Sequence, residues 1–209
     1  MGDLARQILG APEGASFHAV CGLRTEPSRM RVRVLCPQLR VLLGGLCDIE
    51  SPAVQIAAMP IRPQICLIVE NQNTGIALPD MPGAVVFMQL GLAVDQLDPI
   101  AWLHDADHQV YWGDLDTHGF AALARARRRF PRMVSILMDE ATLLAHRSMW
   151  VREDKPSKVE SPEGLTPEEL AVYEGLRINR WDEQVRLEQE RISWPTALHK
   201  LRSAGWAGN

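Results

Sequence analysis

Hydrophobic residues in this chain gather in short runs bounded by polar residues, prolines and glycines. Four such runs predict strands that are buried on both faces: residues 65–69, 84–88, 110–112 and 134–138. The stretches between them are long enough to hold crossover helices, so the pattern predicts an α/β fold with a mainly parallel sheet. Upstream, arginines alternate with apolar residues over residues 29–35, which predicts a half-buried strand with one basic face.

Helix start and stop signals follow two of these segments. A helix is predicted to begin near Asp116 and to end at Pro131, with Asp116 or Thr117 as its N-cap. A second helix is predicted from Thr166 to about Arg180, because Thr166 and Glu169 have the spacing of a capping box around a first-position proline. The stretch between these two helices is predicted to include a mobile loop over residues 153–164, on its composition.

Carboxylates follow two of the predicted strands at the point where each ends. Glu70 comes directly after the first strand, and Asp114 and Asp116 come just after the third. Since the carboxyl ends of parallel strands meet at one edge of a sheet, we expect these acids to converge in one crevice. Clustered carboxylates favour a hard divalent cation such as Mg²⁺. The pattern therefore predicts a metal-dependent phosphoryl-transfer site.

Other interpretations of single residues stay open on sequence alone. Asp116 has the position of a helix cap and Asp114 that of a turn residue. A second polar cluster, formed by His104, Asp105, Asp107 and His108, contains residue types that bind zinc or manganese. Its spacing is poor for one face of a helix or strand, and a solvated helix terminus is the favoured interpretation.

Composition and charge narrow the class of protein without choosing a function. The chain has 209 residues, of which 46% are hydrophobic and 23% charged, as is ordinary for a soluble globular protein. The net charge of −4 predicts no overall attraction to nucleic acid, so contact with DNA would need local basic patches. No apolar run approaches the length of a membrane span, and the four cysteines lack zinc or paired spacing. We expect a cytoplasmic protein with reduced thiols and no membrane association.

Several longer motifs resemble a known family. The acids themselves follow the pattern of the Toprim domain, with a Glu after one strand and Asp-x-Asp after a later one. The segments V-E-N-Q-N-T, Y-W-G-D-L-D-T-H-G-F, M-D-E-A-T-L-L-A-H-R, L-T-P-E-E and R-L-E-Q-E-R-I-S-W-P resemble the C-terminal half of JetD, the Wadjet nuclease subunit. This resemblance, to a family of the DUF2220 type that is related to the topoisomerase VI A subunit, covers roughly residues 17–202.

The resemblance implies a fold and a domain organisation. It implies a Rossmann-like Toprim domain with a four-stranded, mainly parallel sheet flanked by helices, preceded by a small partial N-terminal region that contains β-structure. Residues 1–60 are expected to be a remnant of an upstream DNA-binding region and linker, and residues 61–209 the Toprim domain with a C-terminal extension. Right-handed crossovers predict that the four strands lie in the order 2-1-3-4.

The resemblance also implies an activity. In Toprim proteins the residues that match Glu70, Asp114 and Asp116 are the catalytic residues and hold Mg²⁺ or Mn²⁺. Members of the Wadjet family protect bacteria against plasmids: a condensin-like motor complex extrudes the DNA, and a homodimeric nuclease subunit cleaves it. The chain is therefore expected to be a metal-dependent endonuclease that acts on double-stranded plasmid DNA. Its two tyrosines, Tyr111 and Tyr173, lie in apolar patterns, which favours hydrolysis by water over a tyrosine nucleophile.

Supporting residues are predicted around this core. His118 either contacts a phosphate or hydrogen-bonds the strand end, while Glu188 and Glu190 either extend the metal site or pair with Arg186 and Arg191. A basic helix face is a candidate DNA track through Arg125, Arg127, Arg128 and Arg129. The alternative to an endonuclease is a Toprim-fold module that dimerises or docks on the motor complex and whose catalysis is absent or depends on other parts.

Overall fold

The computed structural model of the protein describes residues 20–23 and 27–206. Residues 1–19 of the predicted upstream region lie outside the described residues. Within the described part of the chain, no helix has both the length and the apolar character needed to cross a membrane. All four cysteines are free.

Six strands form the central sheet. They are β1 (Arg29–Val34), β2 (Asp48–Pro52), β3 (Ile65–Val69), β4 (Ala84–Met88), β5 (His108–Trp112) and β6 (Val134–Ser135), in the spatial order β2-β1-β4-β3-β5-β6. Strands β3 to β6 are mutually parallel, whereas β1 pairs antiparallel with both β2 and β4. Every residue of β3 and β4 is buried, as expected for strands covered on both faces. The predicted α/β class with a mostly parallel, Rossmann-like sheet is confirmed.

Short helices connect and flank these strands. In chain order they are α1 (Pro37–Val41), α2 (Ala53–Ala57), α3 (Gln72–Ala77), α4 (Ala101–Asp105), α5 (Thr117–Arg129), α6 (Glu140–Ala145), α7 (Pro167–Arg177) and α8 (Trp194–Leu201). Segments Gly91–Leu97, Arg147–Met149 and Gln189–Arg191 are 3-10 helices, and Arg202–Trp206 is a π-helix. Two further short strands, β7 (Val151–Arg152) and β8 (Val185–Arg186), pair antiparallel as a separate small sheet.

The predicted order of the four parallel strands is confirmed, because β4, β3, β5 and β6 are consecutive neighbours. Two predicted details are corrected. The sheet has six strands rather than four, since β1 and β2, which precede residue 60, extend it at β4. The strand predicted over residues 134–138 ends at Ser135, because Leu137 adopts a positive φ of 58° and Asp139 caps the next helix.

Helix signals in the sequence match the structure closely. Helix α5 begins after Asp116, whose side chain accepts a hydrogen bond from the Gly119 N–H. Helix α7 has the predicted capping box between Thr166 and Glu169, and it ends at Arg177, three residues before the predicted end. These caps fix the helix starts because each satisfies backbone N–H groups that have no partner within the helix.

Aromatic side chains supply much of the core. Trp112 is buried, and Trp150 and Trp194 pack against the core from partly buried positions, as predicted for core tryptophans. Tyr111 and Tyr173 are also buried, so neither presents a hydroxyl group at the surface. The rigid core therefore holds the carboxyl end of the sheet in place.

Candidate active site

Two of the predicted acids meet where β3 and β5 end. The register aligns Val69 with Trp112, and the Glu70 N–H donates a hydrogen bond to the Trp112 carbonyl at 3.2 Å. This alignment lets Glu70 Oε2 accept a 3.2 Å hydrogen bond from the backbone N–H of Asp114. The two carboxyl-bearing residues therefore lie side by side at the switch point of the sheet, where sites in α/β proteins form.

Asp116 completes the acidic cluster from the start of α5. Its Oδ1 accepts a 2.7 Å hydrogen bond from the Gly119 N–H, so Asp116 is the N-cap of α5. The sequence alone left this role of Asp116 open. Gly119 is required here, since a Cβ atom at this position would collide with the carbonyl oxygen of Asp114. Only 3% of Asp116 and 4% of Asp114 are exposed, so both carboxylates are almost fully removed from water.

Arg186 supplies the positive charge that faces these acids. Its Nη2 donates to Asp114 Oδ2 at 2.5 Å, and its Nε lies 3.2 Å from Asp116 Oδ2. Each aspartate thus uses one oxygen to accept a backbone N–H and turns the other oxygen toward the same guanidinium. Both of these oxygens therefore lie within 3.2 Å of nitrogens of the same guanidinium.

A C-terminal segment holds this arrangement in place. Leu187 exchanges two backbone hydrogen bonds with Leu115, at 2.9 and 3.1 Å. The backbone N–H of Gln189 donates to Asp114 Oδ1 at 2.8 Å, and its side-chain Oε1 accepts from the Asn71 N–H at 3.0 Å. The segment therefore connects both strand ends and fixes the orientation of the Asp114 carboxylate.

A fourth buried acid lies behind the cluster. Glu153 is 4% exposed and accepts hydrogen bonds from both the N–H and the hydroxyl group of Thr117, at 3.3 and 2.6 Å. Its negative charge contributes to raising the pKa of Asp116. The start of the predicted loop at residue 153 is thus a fixed part of the wall of the site.

Burial and mutual repulsion raise the pKa values of two of these acids, Glu70 and Asp116. Burial, with the charges of Asp114 and Asp116 added, raises the pKa of Glu70 to about 7. Burial also raises the pKa of Asp116 to about 6, although the hydrogen bond from Gly119 opposes this shift. Arg186 alone therefore leaves an excess of negative charge, which favours the binding of a proton or a further cation.

These shifts predict how stability depends on pH when metal is absent. Glu70 and Asp116 have higher pKa values in the folded than in the unfolded chain, so the folded protein binds more protons between about pH 4 and 7. Stability should therefore fall as pH rises, and the thermal midpoint in chelator should drop by on the order of 5 °C from pH 5 to 7.5. Carboxyl groups whose pKa is lowered in the folded protein, such as that of Asp95, affect the pH dependence of stability only at more acidic pH.

Differential scanning fluorimetry across this pH range would check the prediction. The Glu70→Gln variant, whose side chain does not titrate, should show a clearly smaller drop than the wild type. A midpoint that rises from pH 5 to 7.5 in chelator would contradict the raised pKa values.

The donor chemistry of the cluster fits a hard divalent cation. Glu70, Asp114 and Asp116 offer carboxylate oxygens from one crevice, which are the ligands that Mg²⁺ and Mn²⁺ prefer. In the described part of the chain, however, no group of three or more His, Cys, Asp or Glu side chains is already arranged to hold a metal ion. The contacts explain this, since the free oxygens of both aspartates are turned toward Arg186.

The remaining predicted ligands have structural partners. His118 Nε2 lies 2.7 Å from the carbonyl oxygen of Lys155, so this exposed residue contacts the loop after β7. His104 lies in α4 and is 2.9 Å from the carbonyl of Asp98, at the helix terminus favoured by the sequence analysis. Neither contact brings a histidine into the acidic cluster.

Glu188 and Glu190 differ in their surroundings. Glu188 accepts a hydrogen bond from Arg191 Nε at 2.7 Å and lies 3.8 Å from Arg186 Nη2, which is the pairing that the sequence analysis left open. Glu190 is exposed in the 3-10 helix Gln189–Arg191, so the two glutamates are not related by strand alternation. Glu188 lies at the outer edge of the site.

The predicted basic track separates into paired and exposed arginines. Arg125 and Arg129 both form ion pairs with Asp95, but Arg129 is still exposed, as is Arg128. Arg127 is largely buried and forms a two-pronged pair with Glu169 of α7, at 2.5 and 2.9 Å. We therefore assign Arg127 a structural role. The exposed arginines at the end of α5, Arg128 and Arg129, remain the candidates for contact with phosphates.

The basic face of β1 is also occupied by partners. Arg31 pairs with Asp48 on β2 at 2.6 Å, and Arg33 donates to the carbonyl oxygens of Ile76 and Leu78 at 2.7 and 2.6 Å. The half-buried strand predicted from alternation is confirmed. Its arginines connect neighbouring elements of the sheet edge.

Sequence reasoning missed three residues of this site. Arg186 enters the sequence analysis only as one possible partner of Glu188 and Glu190, and Gln189 and Glu153 are given no role there. Their contacts join residues far apart in sequence, such as the pair of Arg186 with Asp114 across 72 positions. The one available signal for Gln189 is its place as a polar residue inside the specific motif R-L-E-Q-E.

A model of a known protein family matches most of this chain. The chain matches the family model described as "Wadjet protein JetD, C-terminal" over residues 22–201. The match spans both strand ends, the acid cluster and the segment that contains Arg186 and Gln189. No curated protein gives a significant match.

Proposed function

The chain belongs to the family of the C-terminal part of the Wadjet protein JetD, and we propose that it is a divalent-metal-dependent DNA endonuclease domain. Family membership implies a role in a Wadjet defence system. The observation that carries the proposed activity is the convergence of three carboxyl groups at one strand-end crevice, where one oxygen of Asp114 and one of Asp116 face the same guanidinium. Such a crevice is where an α/β protein binds a ligand at the carboxyl ends of its strands.

Each residue of the cluster has a distinct proposed task. Asp114 and Asp116 would hold the ion through the oxygens that now face Arg186, because their other oxygens are engaged by backbone N–H groups. Glu70, with a pKa raised to about 7, is suited to accept the proton of an attacking water at neutral pH. A bound divalent ion would supply charge neutralisation of the scissile phosphate and activation of the attacking water.

The buried tyrosines support hydrolysis by water. Burial, with the charges of Glu70 and the two aspartates, raises the pKa of Tyr111 well above its ordinary value. Tyr173 donates its hydroxyl hydrogen bond to the carbonyl of Val159. A nucleophile must reach the phosphate and lose its proton easily, and neither tyrosine meets both conditions.

Partners are proposed from family membership together with the surface of α5. We propose that the domain acts on double-stranded plasmid DNA as a homodimer, within a complex that contains a condensin-like motor. Phosphate contacts would come from the exposed end of α5, which is about 18 Å from Asp116 along the helix axis, at 1.5 Å per residue. That separation is close to the width of a DNA duplex.

Metal titration followed by a plasmid assay tests the proposal. Calorimetry with Mn²⁺ should give saturable binding, and supercoiled plasmid incubated with the protein and Mg²⁺ or Mn²⁺ should be nicked or linearised. Addition of chelator should stop cleavage. Absence of both binding and cleavage would reject the proposed activity for this chain.

The exposed arginines give a separate prediction. The double variant Arg128→Glu with Arg129→Glu should weaken binding to DNA of any sequence, and it should reduce the slope of log affinity against log salt by about two units, because each lost phosphate contact removes about one. Fluorescence anisotropy at several salt concentrations in Ca²⁺ measures this slope. The control is Arg62→Glu, an exposed reversal elsewhere on the chain. An unchanged slope of log affinity against log salt would show that this helix face is exposed to solvent but does not contact DNA.

A second candidate function is supported by the arginine within the cluster. If Arg186 neutralises the acids permanently, the domain is an interaction module that docks on the motor complex without cleaving DNA itself. The contacts of Arg186 with Asp114 and Asp116 favour this candidate. It predicts that the wild-type protein binds neither Mg²⁺ nor Mn²⁺, so the calorimetric titration separates the two functions.

A further inference from the structure

We infer that Arg186 is an internal competing cation: it neutralises the acid cluster in the metal-free protein, and a divalent ion must displace its guanidinium in order to bind. This inference rests on the proposed metal-dependent function. It assigns to Arg186 a regulatory effect on metal loading, so that the site favours its metal-free state until the ion concentration is sufficient.

Arg186 occupies the aspartate oxygens that a metal ion would need. Asp114 Oδ2 and Asp116 Oδ2 are the carboxylate oxygens without a backbone partner, and both contact Arg186, at 2.5 and 3.2 Å. An ion held by these two oxygens would occupy the space of the guanidinium. The two cations therefore exclude each other.

Arg186 also partly balances the negative charge of the acid cluster. Asp114 and Asp116 are buried, Glu70 lies in contact with Asp114, and buried carboxylates need a nearby opposite charge. Arg186 provides one positive charge, and a divalent ion provides two. Because Arg186 is the only basic side chain within 4 Å of these aspartates in the described residues, its removal leaves a cluster with a stronger attraction for any other cation.

The Arg186 side chain has room to move away from the two aspartates. The backbone on either side of Arg186 is fixed, by the pairing of β8 with β7 and by the hydrogen bonds between Leu187 and Leu115. The Arg186 side chain is nevertheless 35% exposed, so it opens to solvent on one side. Glu188, 3.8 Å from Nη2 and 26% exposed, is the neighbouring carboxylate that can receive the displaced guanidinium. Displacement therefore needs a change of side-chain rotamer and no movement of the backbone.

Metal affinity of an Arg186→Gln variant tests the inference. Titration with Mn²⁺, followed by electron paramagnetic resonance of the free ion, should show a dissociation constant at least about tenfold lower than that of the wild type, because an opposite charge at this range shifts carboxyl affinity for a proton by one to three units. The matched control is Arg191→Gln, which removes a neighbouring charge that contacts Glu188 and neither aspartate. Its dissociation constant should stay within about twofold of the wild type.

A stability measurement distinguishes an arginine that competes with the metal ion from one that only stabilises the fold. In chelator the thermal midpoint of Arg186→Gln should lie below that of the wild type, and saturating Mn²⁺ should raise the midpoint by more in the variant. If Arg186→Gln does not fold, Arg186→Lys takes its place, since one ammonium group cannot bridge both aspartates in the way a guanidinium does. Its dissociation constant for Mn²⁺ should also fall below that of the wild type.

The outcomes are distinct. If the wild type binds Mn²⁺ and the substituted protein binds it equally or more weakly, the competing role of Arg186 is wrong and the proposed nuclease site stands. If neither the wild type nor the variant binds Mn²⁺, both the inference and the proposed function are wrong.

Discussion

Substitution of Glu70 by Gln should abolish plasmid cleavage while the protein stays folded. The expected loss in rate is at least about a hundredfold, because the substitution removes the group proposed to accept a proton from the attacking water. The introduced amide keeps the shape of the side chain, and its oxygen can still accept the hydrogen bond from the Asp114 N–H. The backbone of the site should therefore remain as it is.

The same variant should be more stable than the wild type above pH 7 in chelator. At that pH Glu70 is ionised, and its repulsion of Asp114 and Asp116 is lost in the amide. Nicking rates and thermal midpoints at pH 8 measure both effects, with Glu50→Gln on the exposed face of β2 as the control. Cleavage at the wild-type rate would remove Glu70 from the mechanism, and a large fall in the midpoint would show that it is a structural residue.

Substitution of Glu169 by Ala should cause the largest loss of stability among the polar residues discussed. Glu169 accepts hydrogen bonds from Arg127, from Ser135 Oγ at 2.6 Å and from the Thr166 N–H at 2.8 Å. It thereby connects α7 to α5 and to β6. Its side chain is 8% exposed and that of Arg127 is 12% exposed, so the substitution leaves a nearly buried, unpaired guanidinium.

The expected cost is about 3–5 kcal/mol of unfolding free energy, as found when one partner of a buried ion pair is removed. For a chain of this size that corresponds to a fall of roughly 10 °C in the thermal midpoint. The neighbouring Glu168→Ala is the control, since Glu168 is exposed in the first turn of the same helix. Urea denaturation that gives equal stability for the two variants would contradict the structural role assigned to Arg127 and Glu169.

Local patterns in the sequence were sufficient to predict the framework of the site. The fully apolar runs at β3 and β4 have the composition of strands covered on both faces, and right-handed crossovers then limit the strand order to the one observed. Because Glu70 and Asp114 follow neighbouring strands, their proximity also followed from the pattern. The cap at Asp116 and the capping box at Thr166 depend on contacts within four residues, which a sequence displays directly.

Contacts between distant segments could not be obtained in this way. The approach of Arg186 to Asp114 depends on how residues 185–189 lie across the acid loop, and nothing in the local pattern of either segment specifies it. Similarly, the sequence does not distinguish the arginines of α5 from one another. In the structure Arg127 forms an ion pair with Glu169, while Arg128 is exposed. The early end of β6 reflects the positive φ of Leu137, a residue type that does not signal such a conformation.

The most direct test of the metal site is anomalous diffraction at the manganese edge from crystals of the protein grown with Mn²⁺. The proposal predicts a peak roughly 2–2.3 Å from oxygens of Asp114 and Asp116, with Glu70 beside it and the Arg186 guanidinium moved toward Glu188. A map without a peak in this crevice, and with Arg186 still in contact with both aspartates, would contradict the proposal that these acids form a catalytic metal site.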